Sequence, residues 1–422
     1  MNIVLALIFL FLMSIEGNKA IFISYGILIV FFRRFKNIPI RIKKFQIYII
    51  LYLILGLVLN MIIDPSIQRG FLNILYYIPA ISYSTVVFNI IEKYTPKNIF
   101  NLVTNFVYIN ISIIIVQYLG IVIKFRTINP FKISMAAGDN FRSIYSSSLI
   151  LFIVLSMITF FYFEMLKYKE YRSKSKKIIL VCWIIMIATS TLTHTIIYFS
   201  ILCINYCVNL IIKGEIIKFI KMLIITVGLV TVFSVIQPEN VTYIVNQINS
   251  SINGPIYEKP RKLQFMYTTL FDFTKDVEWV PIIGVGGGNY SSRAAINTSG
   301  EFYEKAPKFI YINESKYTNN YVVRYWNSYI LSQKYQDGFA NYPTSEVMTI
   351  LGETGILGIV IIIIALLNLL KLNKSKWSFW LNIYFICLLF LDNYLQFPAI
   401  ISIFFLNLYG INLIENEING GD

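Results

Sequence analysis

Two glutamates, one histidine and a few cations stand out in a chain that is otherwise dominated by apolar residues. Glu346 and Glu353 fall seven apart in "NYPTSEVMTILGETGILGIVIIIIALLNLL", on one helix face at the start of a long apolar run. Carboxylates at such a place are costly unless paired or turned to an aqueous cavity. They are candidates for a base or for partners of arginines, and Glu353 also suits a plain ion-pair or helix-start role. His194, the only histidine, lies in the Thr/Ser-rich break of "ATSTLTHTIIYF". A polar break at membrane depth must be buried in protein or line a wet cavity. The residue is a functional candidate there, or a helix-end histidine satisfied by a hydrogen bond. Arg142 precedes Ser146–Ser148 in "AAGDNFRSIYSSSLILF". A guanidinium with neighbouring hydroxyls can grip phosphate in two-pronged fashion; the same arginine can instead snorkel to lipid headgroups. Arg261 and Lys262 open a stretch in which Leu263, Met266, Tyr267, Leu270 and Phe271 recur at helical spacing, with a solvated basic face as the plainer reading.

The stretch "PIIGVGGGNYSSRAA" carries Gly284, Gly286, Gly287 and Gly288 straight after an apolar run. Amides exposed by glycine can wrap a phosphate. No Lys-Ser/Thr follows, and the surroundings are not a clear strand–loop–helix unit, which argues against a nucleotide loop. The glycines are expected to form a tight turn that seats the Arg261 helix against a membrane-embedded site. Direct contact of Gly286 and Gly288 with a phosphate group is the alternative. Tyr317, Tyr321, Tyr325, Trp326 and Tyr329 cluster further on. Their rings suit sugar faces, but core packing and membrane interfaces use them equally. Arg324 lies among them and joins Lys262, Ser146, Gly286 and Gly288 as an expected substrate-binding residue.

The elements that must position these residues are membrane spans. Hydrophobic residues make up 57% of the chain and charged ones 14%, against about 25% charged in soluble domains. Apolar runs at about 45–63, 71–91, 99–123, 144–166, 178–190, 195–212, 216–236, 345–370, 377–395 and 397–414 follow two shorter ones at about 1–15 and 20–32. The net charge of +14 gathers in short connections such as "RRFKNIPIRIKK", "KYKEYRSKSKK" and "KLNKSK". That is the positive-inside pattern of a membrane protein, not a nucleic-acid surface. The fold class expected is all-α polytopic, with about twelve spans and both termini cytoplasmic. Residues 1–236 would form helices 1–9, 237–344 one large extracytoplasmic loop of short helices, and 345–422 helices 10–12 with a cytoplasmic tail. The first run has no basic leader and reads as a retained span. Cys182, Cys203, Cys207 and Cys387 all sit inside apolar runs, so neither a disulfide framework nor a zinc site is expected. No metal or cofactor is expected.

Three of these features occur in the order found in the bacterial O-antigen ligase/polymerase superfamily, which the chain resembles. They are Arg142, "RKLQFMYTTLFDFTKDVEWVPIIGVGGGNY" and "LGETGILG". The likeness covers most of the chain in layout and about a tenth of it in motif. It implies a catalyst working on glycans attached to undecaprenyl diphosphate at the outer face of the plasma membrane, without nucleotide sugar or essential metal. Arg142 and Arg261 would hold the diphosphate; Glu346, Glu353 or His194 would assist deprotonation of an acceptor hydroxyl. Inversion at the anomeric carbon is the expected outcome. Ligases of the superfamily carry His-Asn where this chain has Thr344-Ser345, and the superfamily's Ser-Arg reads Thr193-His194 here. The resemblance therefore points to a Wzy-type polysaccharide polymerase, for capsule, exopolysaccharide or O-antigen. A chain-length regulator and a flippase of the same pathway are its implied partners. A ligase is the alternative, or a flippase of lipid-linked oligosaccharide.

Overall fold

The computed structural model describes residues 3–14, 43–126, 141–189, 191–213, 238–300, 312–326 and 343–419, with residues 220, 228 and 231 as isolated helical positions. The expected span at about 20–32 lies outside the described residues, as does almost all of the span at about 216–236 and of the loop Arg33–Lys44.

Every long element is a helix, and no strand occurs among the described residues. Helix α1 (Ile3–Met13) is followed by α2 (Lys44–Ile63), α3 (Ile67–Ile91), α4 (Pro96–Phe125), α5 (Ser148–Met165), α6 (Lys169–Ala188) and α7 (Leu192–Lys213). A connecting segment then carries α8 (Pro238–Asn253), α9 (Arg261–Tyr267), α10 (Val280–Ile283), α11 (Arg293–Asn297) and α12 (Lys316–Tyr321). Helices α13 (Glu346–Leu370), α14 (Lys376–Leu389) and α15 (Pro398–Asn419) complete the chain. Six of these, α2, α3, α4, α5, α13 and α15, are long and apolar enough to cross a membrane. The protein is an all-helical membrane protein.

Helix starts follow ordinary capping chemistry. Ser66, Thr95, Ser147 and Ser375 each accept a backbone N–H with their hydroxyl oxygen, and Pro96 fits the first turn of α4. One start differs from expectation. α6 begins at Lys169, inside the basic loop, because lysine and arginine are good helix formers and their stems can carry charge away from the bundle.

α5 and α15 are apolar all round and almost wholly buried, so they form the centre of the bundle. α3, α6 and α14 pack round them, and α2 lies along α13. The connecting segment has its own small core of Phe265, Phe273, Val280, Val285, Tyr290 and Tyr317. Met348 of α13 belongs to it, so the segment is fastened to the bundle at the start of that helix.

Candidate functional site

α13 is broken. Gly355 has φ 61° and ψ −158°, which no helix contains, and it divides the element into two helical pieces. A break at membrane depth leaves carbonyls that lipid cannot satisfy. Here the N–H of Val285 donates to Gly352 O (2.9 Å) and that of Gly286 to Glu353 O (2.8 Å). The glycine-rich stretch thus lies against the broken helix and supplies donors to its carbonyls. It also crosses α2, where the Gly287 N–H donates to Gly56 O (2.7 Å). Gly286 permits this approach with a φ of 93°: a Cβ there would lie 2.3 Å from the backbone nitrogen of Asn60.

The carboxylate of Glu353 completes the joint. One oxygen accepts from the N–H groups of Tyr290 (3.4 Å) and Ser292 (3.3 Å), and the other from Asn73 Nδ2 (3.2 Å). The group gathered by this loop is the side-chain carboxyl of the protein's own Glu353, which is fully buried. Gly288 lies against the carbonyl of Arg69. Asn289 fastens the far side: its Oδ1 accepts from Arg69 Nε (2.9 Å) and Asn60 Nδ2 (3.0 Å). Arg69 is itself fully buried and paired with Asp64 (3.0 Å).

A second polar cluster surrounds Glu346. Tyr77 of α3 donates its hydroxyl to Glu346 Oε1, and the N–H of Leu395 reaches Oε2 (3.3 Å). Gln396 Nε2 donates to the Tyr77 oxygen (3.0 Å), while Tyr52 lies 3.4 Å from it. The other end of Gln396 meets Arg293: Oε1 accepts the Arg293 N–H (2.9 Å), and the Gln396 carbonyl accepts Arg293 Nη1 (3.0 Å). The guanidinium lies 4.4 Å from the Phe397 ring and 5.1 Å from Tyr76. A continuous chain Glu346–Tyr77–Gln396–Arg293 therefore joins a dry carboxyl to a half-buried cation. No described carboxylate pairs with that cation, and its Nε and Nη2 make no described hydrogen bond.

The turn between α14 and α15, Leu391–Phe397, is the hub of the site. Besides Glu346 and Arg293 it receives Lys262, whose Nζ donates to Leu391 O and to Thr344 O (2.7 Å). Burial lowers the Lys262 amine to about 8, although Asp392 nearby favours the charged form. His194 Nε2 shares a 2.8 Å hydrogen bond with the Tyr394 hydroxyl. Asn393 donates to Ser291 O (2.8 Å), and Thr349 to Asn393 Oδ1 (3.0 Å). Below the turn, Leu395 also lines an apolar cavity with Phe45, Ile49, Ala80, Ile362 and Phe405.

Of the residues singled out from sequence, Glu346, His194 and Lys262 meet at this hub. Glu353, Gly286 and Gly288 form the neighbouring joint. Arg261, beside Lys262, begins α9, where partial burial lowers its guanidinium from the ordinary value. Arg142 and Ser146 are exposed near Gln117 of α4, which accepts the Arg142 N–H (3.3 Å), and no described hydrogen bond or ion pair joins Arg142 to the hub. Arg324 is exposed and donates to Thr268 Oγ1 (2.7 Å), with Asp272 at 3.7 Å. Tyr317 packs in the connecting core with Tyr321 and Tyr325 against it, whereas Trp326 is half-buried and Tyr329 lies outside the described residues. The sequence reading overlooked Tyr77, Arg293, Arg69 and the turn Asp392–Gln396. Arg69 carried a usable signal, a charge at the edge of an apolar run. Among the described residues, no three His, Cys, Asp or Glu side chains gather as a metal site.

Comparison with protein-family models, curated proteins and solved structures finds no match for the chain.

Proposed function

We propose that the protein is a Wzy-type polysaccharide polymerase that joins undecaprenyl-diphosphate-linked repeat units. In this reading the chain has about twelve spans with both termini cytoplasmic, and residues 237–344 lie outside the plasma membrane. The observation that carries it is the chain Glu346–Tyr77–Gln396–Arg293, which links a buried carboxyl to a half-buried cation. A carboxyl and a cation linked in one polar chain suit a donor with an anionic leaving group.

The reaction needs little from the protein beyond charge and position. The acceptor oxygen forms a bond to the anomeric carbon as the bond to the diphosphate oxygen breaks, and the leaving lipid diphosphate takes the electron pair. Arg293 and Arg261 offset the charge that develops there, with exposed Arg142 and Arg324 as further cations on the donor's approach. The acceptor proton passes to Glu346, directly or through Tyr77. Glu346 and Tyr77 are dry in this conformation, so acceptor entry requires the Leu391–Phe397 turn to open. A single displacement inverts the anomeric configuration. No metal or cofactor takes part in this scheme.

A lipid-linked-oligosaccharide flippase is the less favoured reading, although transporters also use broken helices. In those proteins the break holds substrate or ion, whereas here Val285 and Gly286 occupy the carbonyls beside it. A ligase is less favoured because Thr344 and Ser345 stand where its base is expected. Gel analysis of surface glycan from a deletion strain separates the three. Single repeats support the polymerase, unattached long chains a ligase, and absent surface glycan a flippase.

A further inference from the structure

α9 and the π-helical turn Thr268–Phe273 that extends it are apolar on two opposite faces. One face, with Phe265, Thr269 and Phe273, is dry; Phe265 and Phe273 stack on Tyr290 at 5.9 and 4.5 Å. The other face carries Leu263, Tyr267, Leu270 and Phe271, all exposed, Phe271 at 57%. α8 repeats the pattern. Val245, Ile248 and Ile252 recur at i, i+3 and i+7 and are exposed, while Asn246 and Asn253 turn elsewhere round the helix. Tyr257, Trp279 and Ile282 of the same segment are exposed too. A protein surface that meets water rarely carries so many large apolar side chains in one region.

The row is continuous with the bilayer-facing side of the bundle. The backbone of Ile282 packs on α13 at its break, where a Cβ on Gly355 would lie 2.3 Å from the Ile282 carbonyl carbon. The residues that follow, Ile356 and Leu357, are exposed on a membrane-spanning helix, as are Val360, Ile363 and Leu367 further along it. Tryptophan and tyrosine settle at headgroup depth, and amphipathic helices lie in that plane.

We infer that the exposed apolar side of residues 245–282 is a membrane-surface platform, seated in the interface of the leaflet nearest the start of α13. Its occupant is lipid. The platform holds the connecting segment down on the bilayer, so that the Leu391–Phe397 turn stays at the boundary between headgroups and acyl chains.

The inference does not depend on the proposed activity and is tested without it. Single cysteines replace Ile252, Phe271 and Ile282 in a chain whose native cysteines are changed to alanine, and each is labelled with a nitrobenzoxadiazole dye. The labelled chains are placed in phosphatidylcholine–phosphatidylglycerol vesicles. Quenching by lipids spin-labelled high on the acyl chain, with protection from aqueous iodide, is expected at all three positions; a label at Asn246 is quenched by iodide instead. Iodide quenching at all three overturns the inference, and so does protection from both quenchers, which would mean a protein cover. The native-cysteine chain provides a second reading. Trp279→Phe is expected to lower the tryptophan emission that shallow brominated lipid can quench, and an unchanged quenchable emission contradicts the platform.

Discussion

The N–H of Gly286 donates to the carbonyl of Glu353 at 2.8 Å, two residues before the Gly355 break in α13. One contact thereby closes a membrane helix and fixes the connecting segment over it. A side chain at Gly286 has no room, since its Cβ would meet the Asn60 backbone at 2.3 Å and its φ of 93° disfavours any L residue. Gly286→Ala is expected to cost on the order of 3 kcal/mol or more. Gly120→Ala, in α4 with nothing within 4 Å of the new Cβ, is expected to be neutral or stabilising by up to about 1 kcal/mol. Thermal unfolding in detergent, followed by loss of monodisperse protein, measures both.

Glu353 acts here as an anchor, and its variants are expected to rank by what they leave unpaired. Glu353→Gln keeps one oxygen for the Tyr290 and Ser292 amides but turns an acceptor into a donor facing Asn73. Glu353→Ala leaves all three donors without a partner, each at about 1–3 kcal/mol. The alanine variant should therefore be clearly less stable than the glutamine variant. Equal melting temperatures would contradict the anchoring role.

Glu346 and Tyr77 act on one proton in the proposed reaction, so their losses should not add. Glu346→Gln and Tyr77→Phe are each expected to lower polymer formation by about 100-fold or more. The double variant should be little worse than the more damaged single one. Rates are read from product ladders formed on lipid-linked repeats.

How much of this was legible beforehand differs from element to element. The runs that became α2, α3, α5 and α13 were plain from apolar length alone, whereas the run expected at about 377–395 overran α14, which ends at Leu389 before the polar turn. The start of α6 was not plain, because lysines that signal a loop also favour a helix. Glu346 and His194 were visible as ionisable groups beside apolar runs, and Lys262 as part of the basic start of an amphipathic stretch. Tyr77 and Gln396 were not: each is ordinary in its own segment, and only packing brings together residues 319 apart in sequence. Arg293 stood inside the quoted glycine stretch but gained meaning only from Gln396 and Phe397. The glycines themselves read as a phosphate cradle or a turn, and their neighbours in space are Asn60, Arg69 and Glu353.

The Lys262 amine gives a pH signature. Its pKa falls from about 10.5 unfolded to about 8 folded because burial penalises the charge. Between those values the unfolded chain holds the extra proton, so this group's contribution to stability rises with pH from about 8 to about 10.5; below pH 8 the penalty is fully present. Lys262→Met removes the group. The melting temperature of the native chain, minus that of the variant, is expected to climb across that window. A flat difference would show that the amine is not held as described.

The proposed function is tested most directly with purified protein in vesicles containing undecaprenyl-diphosphate-linked repeat units, with products separated by length. Native protein is expected to yield a ladder of glycans longer than one repeat, and Arg293→Ala to reduce it about 100-fold while leaving the protein folded. Repeats that stay single with native protein, or a ladder unchanged in both Arg293→Ala and Glu346→Gln, would contradict the account.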